Sequence, residues 1–177
     1  MVITTDEEGG SPELTTYRAN TRLADGRPAL LVDPGSVGNL CGDSWAKSVA
    51  IAAHRAGHKP SFTKRERLLN VKGVGKGAQQ CKYDCTLPIA LRSAAGDSVT
   101  LGSLITPTIS GSEIPGLLGL ASIRKNRGIL DCNTTQLHFC GPGDYDLQKV
   151  LPPGSDSFAL EQGIWYYHAA SLAERSQ

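Results

Sequence analysis

Ala29-Leu30-Leu31-Val32-Asp33-Pro34-Gly35-Ser36-Val37-Gly38-Asn39-Leu40 is the stretch from which the fold is read. Four apolar residues run straight into a carboxylate, and Pro34, Gly35 and Ser36 then force a turn, which sets Asp33 at the end of a buried strand. A carboxylate there is costly unless something answers its charge. Three arrangements do so: the side chain caps the turn with its own backbone, pairs with a cation, or serves as a working acid. An Asp-initiated turn closed by Pro and Gly is common in globular proteins, so the stretch has to be read with its surroundings.

Upstream, Tyr17, Ala19, Thr21 and Leu23 alternate with Arg18, Asn20 and Arg22, the period of a strand from Thr15. Asp25-Gly26 is a hairpin turn signal, and Ala29 to Val32 is the return strand that delivers Asp33 into a loop. Downstream lies a second apolar signal, Ile114-Pro115-Gly116-Leu117-Leu118-Gly119-Leu120-Ala121-Ser122-Ile123. Gly128 to Asp131 and Gln136 to Phe139, joined by Asn133-Thr134, read as a further hairpin.

In that order, these motifs resemble the retropepsin-like aspartic proteases, the retroviral and retrotransposon peptidases and their cellular relatives. Leu31-Val32-Asp33, Gly35-Ser36 and Asn39 match the catalytic-loop pattern. Leu117-Leu118-Gly119 matches the family segment that passes beside that loop and leads into a short helix. The resemblance runs from about Thr15 to Cys140. It implies a mainly all-β chain, a retropepsin-like closed β-barrel acid protease fold, with an inserted helix after the catalytic loop and one short C-terminal helix. The expected organisation is a disordered leader over 1–14, the protease domain over 15–141, and an extension over 142–177 with one strand.

The resemblance also implies a function: an aspartic endopeptidase of retrotransposon polyprotein type, with Asp33 catalytic and Gly35 and Ser36 supporting the loop. Gly73, Val74, Gly75, Lys76 and Gly77 fall where the family has its substrate-covering flap. Aspartic proteolysis needs two carboxylates about 3 Å apart that share a proton, one acting as base on a water and the other as acid on the scissile carbonyl. With one such motif per chain, the second carboxylate must come from a second copy across a two-fold axis. The expected partners are therefore another copy of the chain and an extended peptide or polyprotein, bound by β-pairing. No cofactor and no metal is implied.

Pro34 departs from the family, which has Thr or Ser there; proline offers neither the hydroxyl nor the N–H that would interlock two subunits. Weaker dimerisation and lower activity follow. The competing reading is a retropepsin-like module that dimerises or binds peptides without cleaving them.

Between the motifs, Asp43-Ser44 caps a helix through Ala56 with Gly57 at its end, and Trp45, Val49, Ala52, Ala53 and Ala56 form its apolar stripe. His54 and His58, four apart, are a possible metal pair, though two solvated histidines are the commoner explanation. Lys59 to Asn70 reads as a basic surface connection. The glycines of Val71 to Ala78 lack the Gly-Lys-Ser or Gly-Lys-Thr of a phosphate loop. Cys81 to Leu91 reads as a strand, and Ser98 to Ile109 as a strand, or two, broken at Pro107. In the tail, Phe158 to His168 alternates as a strand.

The chain has 177 residues and a formal net charge of +1, which gives no reason to expect nucleic acid as this domain's partner. Its apolar runs are far short of a membrane span, and its first ten residues are acidic rather than signal-like. Five cysteines without a disulfide rhythm fit a reducing, intracellular and cytoplasmic setting. Zinc is considered for Cys81 with Cys85 and for Cys132, His138 and Cys140, but neither spacing is that of a finger or ribbon. On a strand, Cys81 and Cys85 would share a face more than about 10 Å apart.

Overall fold

The structure, a computed structural model, describes residues 22–72 and 78–157. The expected leader (1–14), the first part of the strand from Thr15, the flap glycines 73–77 and the aromatic strand of Phe158 to His168 lie outside the described residues.

Strands dominate and helices are few, as expected of a mainly β chain. β1 (Leu30–Asp33) pairs in parallel with β6 (Gly116–Gly119). A four-stranded sheet runs in the order β2 (Cys41–Gly42), β5 (Val99–Ile109), β4 (Gln79–Arg92), β3 (Ser61–Val71). There β2 is parallel to β5, and the remaining pairs are antiparallel. β7 (Gly128–Asp131) and β8 (Gln136–Phe139) form the expected late hairpin. The described strands thus make three separate sheets instead of the expected closed barrel. The loop after Asp33 sends consecutive strands apart, β1 to β6 and β2 to β5, with an isolated antiparallel bridge between Leu40 and Leu117 joining the two.

The inserted helix is α1 (Asp43–Arg55). Its alanines favour helix, Asp43 sits in the positively polarised first turn, and His54 and Arg55 sit in the last. The cap is Gly42, one residue earlier than expected; Asp43 instead accepts the Gly111 N–H at 3.1 Å and pairs with Lys47 at 3.4 Å. Gly57, at φ 82°, ends the helix in a conformation suited to glycine. α1 packs mainly on β4, burying Trp45, Ala46, Val49 and Ala53, whereas Ala52 and Ala56 of the expected stripe are exposed.

The main core joins these residues to Cys41, Cys85, Leu87, Leu104, Leu118 and Ile123, and a smaller cluster holds Leu40, Cys81 and Ile109. Each fully buried aliphatic side chain contributes about 1.5–3 kcal/mol. A short helix, α2 (Leu120–Lys125), follows β6 as expected, and Ile123 ties it to the core.

Three expectations are corrected. Lys59 to Asn70 is mostly strand, since β3 covers Ser61–Val71 as the sheet's edge. A register shift between Lys64 and Leu69 breaks its alternation; Lys64, Glu66 and Arg67 face solvent and Arg65 is half-buried beside Asp84. β5 runs unbroken through Pro107, which stands opposite Asp84; the short β2 pairs only Thr108 and Ile109, so proline sits where that neighbour's ladder has ended. Cys81 and Cys85 do not share a face. A bulge between Cys81 and Tyr83 sets Cys81 opposite Ile109 and Cys85 opposite Thr106, in different clusters. The extension also contains a one-turn helix, α3 (Leu147–Val150), whose cap Asp146 accepts the Gln148 N–H at 3.1 Å.

Among the described residues no helix is long and apolar enough to cross a membrane.

Candidate active site

Asp33 is the last residue of β1, and Gly119, the last of β6, stands opposite it. Two sequence motifs far apart in the chain therefore meet residue for residue as neighbouring parallel strands. The chain then turns sharply: the Gly35 N–H donates to Asp33 Oδ1 at 3.1 Å and the Ser36 N–H to the Asp33 carbonyl at 3.1 Å. Of the three answers open to a strand-end carboxylate, capping its own turn is present, with Gly35 as the donor. The Ser36 hydroxyl donates to the Gly38 carbonyl at 2.7 Å and so supports the loop.

Four sets of contacts hold the loop against β6 and α2. The Leu120 N–H donates to the Ser36 carbonyl at 2.8 Å, and the Ala121 N–H to the Val37 carbonyl at 3.0 Å. Leu40 and Leu117 exchange backbone bonds at 3.3 and 2.7 Å. Asn39 donates through Nδ2 to the Ile105 carbonyl at 2.9 Å and accepts the Gly119 N–H on Oδ1 at 3.0 Å, joining β5 to β6. Gly119 packs directly on the Gly38 carbonyl, leaving no room for a side chain.

β1 is steadied from the other side by Trp45. Its Nε1 donates to the Ala29 carbonyl at 2.7 Å, and its ring covers Gly116, where a Cβ would clash. In the sequence pattern Asn39 and Gly119 stand without a role; the amide three residues after Ser36 is the local signal of the first, and the packing of the second has none.

The loop forms one wall of a cleft of about 740 Å³. Leu69, Asn70, Val71 and Lys72 at the end of β3 form the opposite wall, with Ile105, Pro107 and Leu117 completing the lining. Asp33 and Lys72 are the ionisable side chains on this lining among the described residues. Val71 pairs with Gln79, so β3 and β4 run antiparallel on either side of Gly73 to Gly77, the expected flap, which lies outside the described residues. Asp33, Gly35 and Ser36 are thus brought together, and the end of β3 reaches the same cleft.

The other candidate groups lie elsewhere. His54 and His58 are both exposed. Cys132 is exposed and Cys140 half-buried, and no group of three or more metal-ligating side chains is found among the described residues. Cys41 and Cys85 are buried side by side. Cys85 and burial push the Cys41 thiol above its usual range, and Cys85 donates to the Thr106 carbonyl at 3.4 Å. With its thiol pushed up, Cys41 is a protonated packing group.

No protein-family model matches the sequence, and no curated protein matches it. Among solved structures, the chain is similar to the retroviral protease-like domain of Ddi1 from Leishmania major. The identity is 15% and the TM-score 0.37, over 62% of this chain and 76% of that one.

Proposed function

We propose that the chain is a retropepsin-like aspartic endopeptidase that works as a homodimer, each copy supplying one Asp33. The register that sets Asp33 opposite Gly119 carries this reading: the two motifs on which the family resemblance rests are adjacent strands, and the carboxylate opens into a cleft. Within one chain Asp33 has no second carboxylate on the cleft lining among the described residues. A two-fold axis passing by the Asp33 loop provides one and completes the pair.

In the dimer the two carboxylates share a proton, because two like charges so close cannot both form at neutral pH. The ionised one takes a proton from a water as that water attacks the scissile carbonyl. The protonated one donates to the carbonyl oxygen; as the tetrahedral intermediate collapses, the first carboxyl returns its proton to the leaving nitrogen, the C–N bond breaks, the second carboxylate takes back a proton from the intermediate's hydroxyl, and both peptide products leave. The Gly35 N–H, already on Asp33 Oδ1, holds the carboxylate in place. The substrate is an extended peptide or polyprotein, covered by the flap expected at 73–77 and held by apolar lining such as Val37, Leu69, Val71 and Ile105. Free thiols suit a reducing cytoplasm.

Pro34 favours a second reading, a dimerising or peptide-binding module without catalysis, since the position lacks the hydroxyl and N–H through which two copies would interlock. Cleavage of a diverse peptide library, followed by mass spectrometry from about pH 4 to pH 7 at high protein concentration, separates the two. New peptide termini with the parent and none with Asp33→Asn support the protease. Identical patterns from both proteins, each folded and dimeric, leave the module.

A further inference from the structure

Residues 59–84 hold seven of the chain's eighteen lysines and arginines but two of its seventeen acids, although the whole chain is nearly neutral. The segment comprises β3, the first part of β4 and the residues that join them. Arg65 pairs with Asp84, whereas Lys59, Lys64, Arg67, Lys72 and Lys82 form no ion pair among the described residues. β3 is the edge of its sheet, and no described strand pairs with its outer side. An eleven-residue edge offers a long row of backbone donors and acceptors to another extended segment.

The complement to this charge lies in the same sequence. Residues 1–17 include Asp6, Glu7, Glu8 and Glu13 and no lysine or arginine. The described chain begins at Arg22, and the next residue, Leu23, lines an apolar groove of about 460 Å³ together with Arg27, α1 and His58. His58 immediately precedes Lys59 and β3, so the N-terminal segment joins the fold beside the start of the basic edge. At about 3.3 Å per extended residue, 17 residues span roughly 55 Å, more than the length of β3. A short tether also places the acids at millimolar effective concentration near the edge.

We propose that the outer edge of β3 is the docking site of the chain's own acidic N-terminal segment, centred on Asp6 to Glu13, within one molecule. Main-chain pairing supplies the attachment, and Lys59, Lys64, Arg67 and Lys72 supply the charge match. Because Leu69 to Lys72 line the Asp33 cleft, the docked segment runs to the cleft's rim. The docking stands whether or not the chain cleaves peptides. Charges on an edge strand also deter unwanted pairing; that role alone requires no acidic counterpart and predicts no effect of removing one.

The test is hydrogen exchange of the full chain against a variant carrying Asp6→Asn, Glu7→Gln, Glu8→Gln and Glu13→Gln, which removes the acidic charge and leaves every residue from Arg22 onward unchanged. The expected result is about tenfold faster exchange of the 61–71 amides in the variant. Salt at about 1 M should bring the parent to the same rate, with the difference unchanged by protein dilution. In the parent, a carbodiimide should couple Glu7 or Glu8 to Lys59 or Lys64. Equal exchange in the two proteins overturns the proposal. A difference that fades on dilution overturns the intramolecular assignment in favour of a second copy. Protection of the variant's 61–71 amides by an oligouridylate, to the parent's level, overturns the acidic polypeptide in favour of nucleic acid.

Discussion

The carbonyl of Gly38 occupies the place where a side chain on Gly119 would begin. Gly119 has φ −79°, open to any residue, so the requirement for glycine is one of space and not of backbone conformation. Gly119→Ala should force the Asp33 loop away from β6. The expected cost is about 1–3 kcal/mol, the usual range for overpacking, read from the urea midpoint, together with loss of any peptide cleavage. Unchanged stability would show that the loop yields without resistance.

Asn39 holds the same loop by two hydrogen bonds to different strands. Asn39→Ala should cost about 1–3 kcal/mol, taking roughly 0.5–1.5 kcal/mol for each bond. Asn39→Asp keeps the acceptor for Gly119 and loses the donor to Ile105, so at neutral pH it should lose about half as much. Equal losses in thermal or urea unfolding would mean that the Gly119 bond contributes nothing.

Pro34→Thr should tighten the proposed dimer. Restoring a hydroxyl and an N–H in each copy offers symmetric contacts together worth about 1–3 kcal/mol. Sedimentation should show the dissociation constant falling by about five- to hundredfold, and cleavage at low protein concentration should rise with it. A dimer no tighter than the parent's would remove the interlock from the account of this interface.

Asp43 gives the fold an acid-sensitive joint. Burial opposes its ionisation, but the Gly111 N–H and Lys47 outweigh burial and hold its carboxyl below the usual carboxylate range. The lowered folded-state value means that ionised Asp43 stabilises the fold above the unfolded value, near pH 4. That contribution is lost as pH falls through the folded value. Asp43→Asn should therefore be less stable than the parent at pH 7, with the gap closing towards about pH 2. A gap independent of pH would assign the effect to packing.

The elements with clear local signals were legible in the sequence. The return strand into Asp33, the alanine-rich α1 with Gly57 behind it, the Leu-Leu-Gly strand with its short helix, and the late hairpin all appear where their residues put them. Failures came where a bulge broke the period. β3 hid behind its charges and the register shift after Lys64, and the bulge beyond Cys81 turned two thiols to opposite faces that simple alternation had placed together. At the candidate site Asp33 was legible because a carboxylate after an apolar run is conspicuous. The lacing by Asn39 and the packing of Gly119 depend on pairing across the chain, which no local pattern encodes.

The Asn39 to Gly119 bond spans eighty positions of sequence. During synthesis, Asp33 emerges long before the strand that completes its surroundings. A nascent chain carries the acid through more than eighty further residues without the wall that positions it. Truncation anywhere before Gly119 would leave a protein with the aspartate but without the packing that surrounds it, so the candidate site is assembled only once Gly119 has been made.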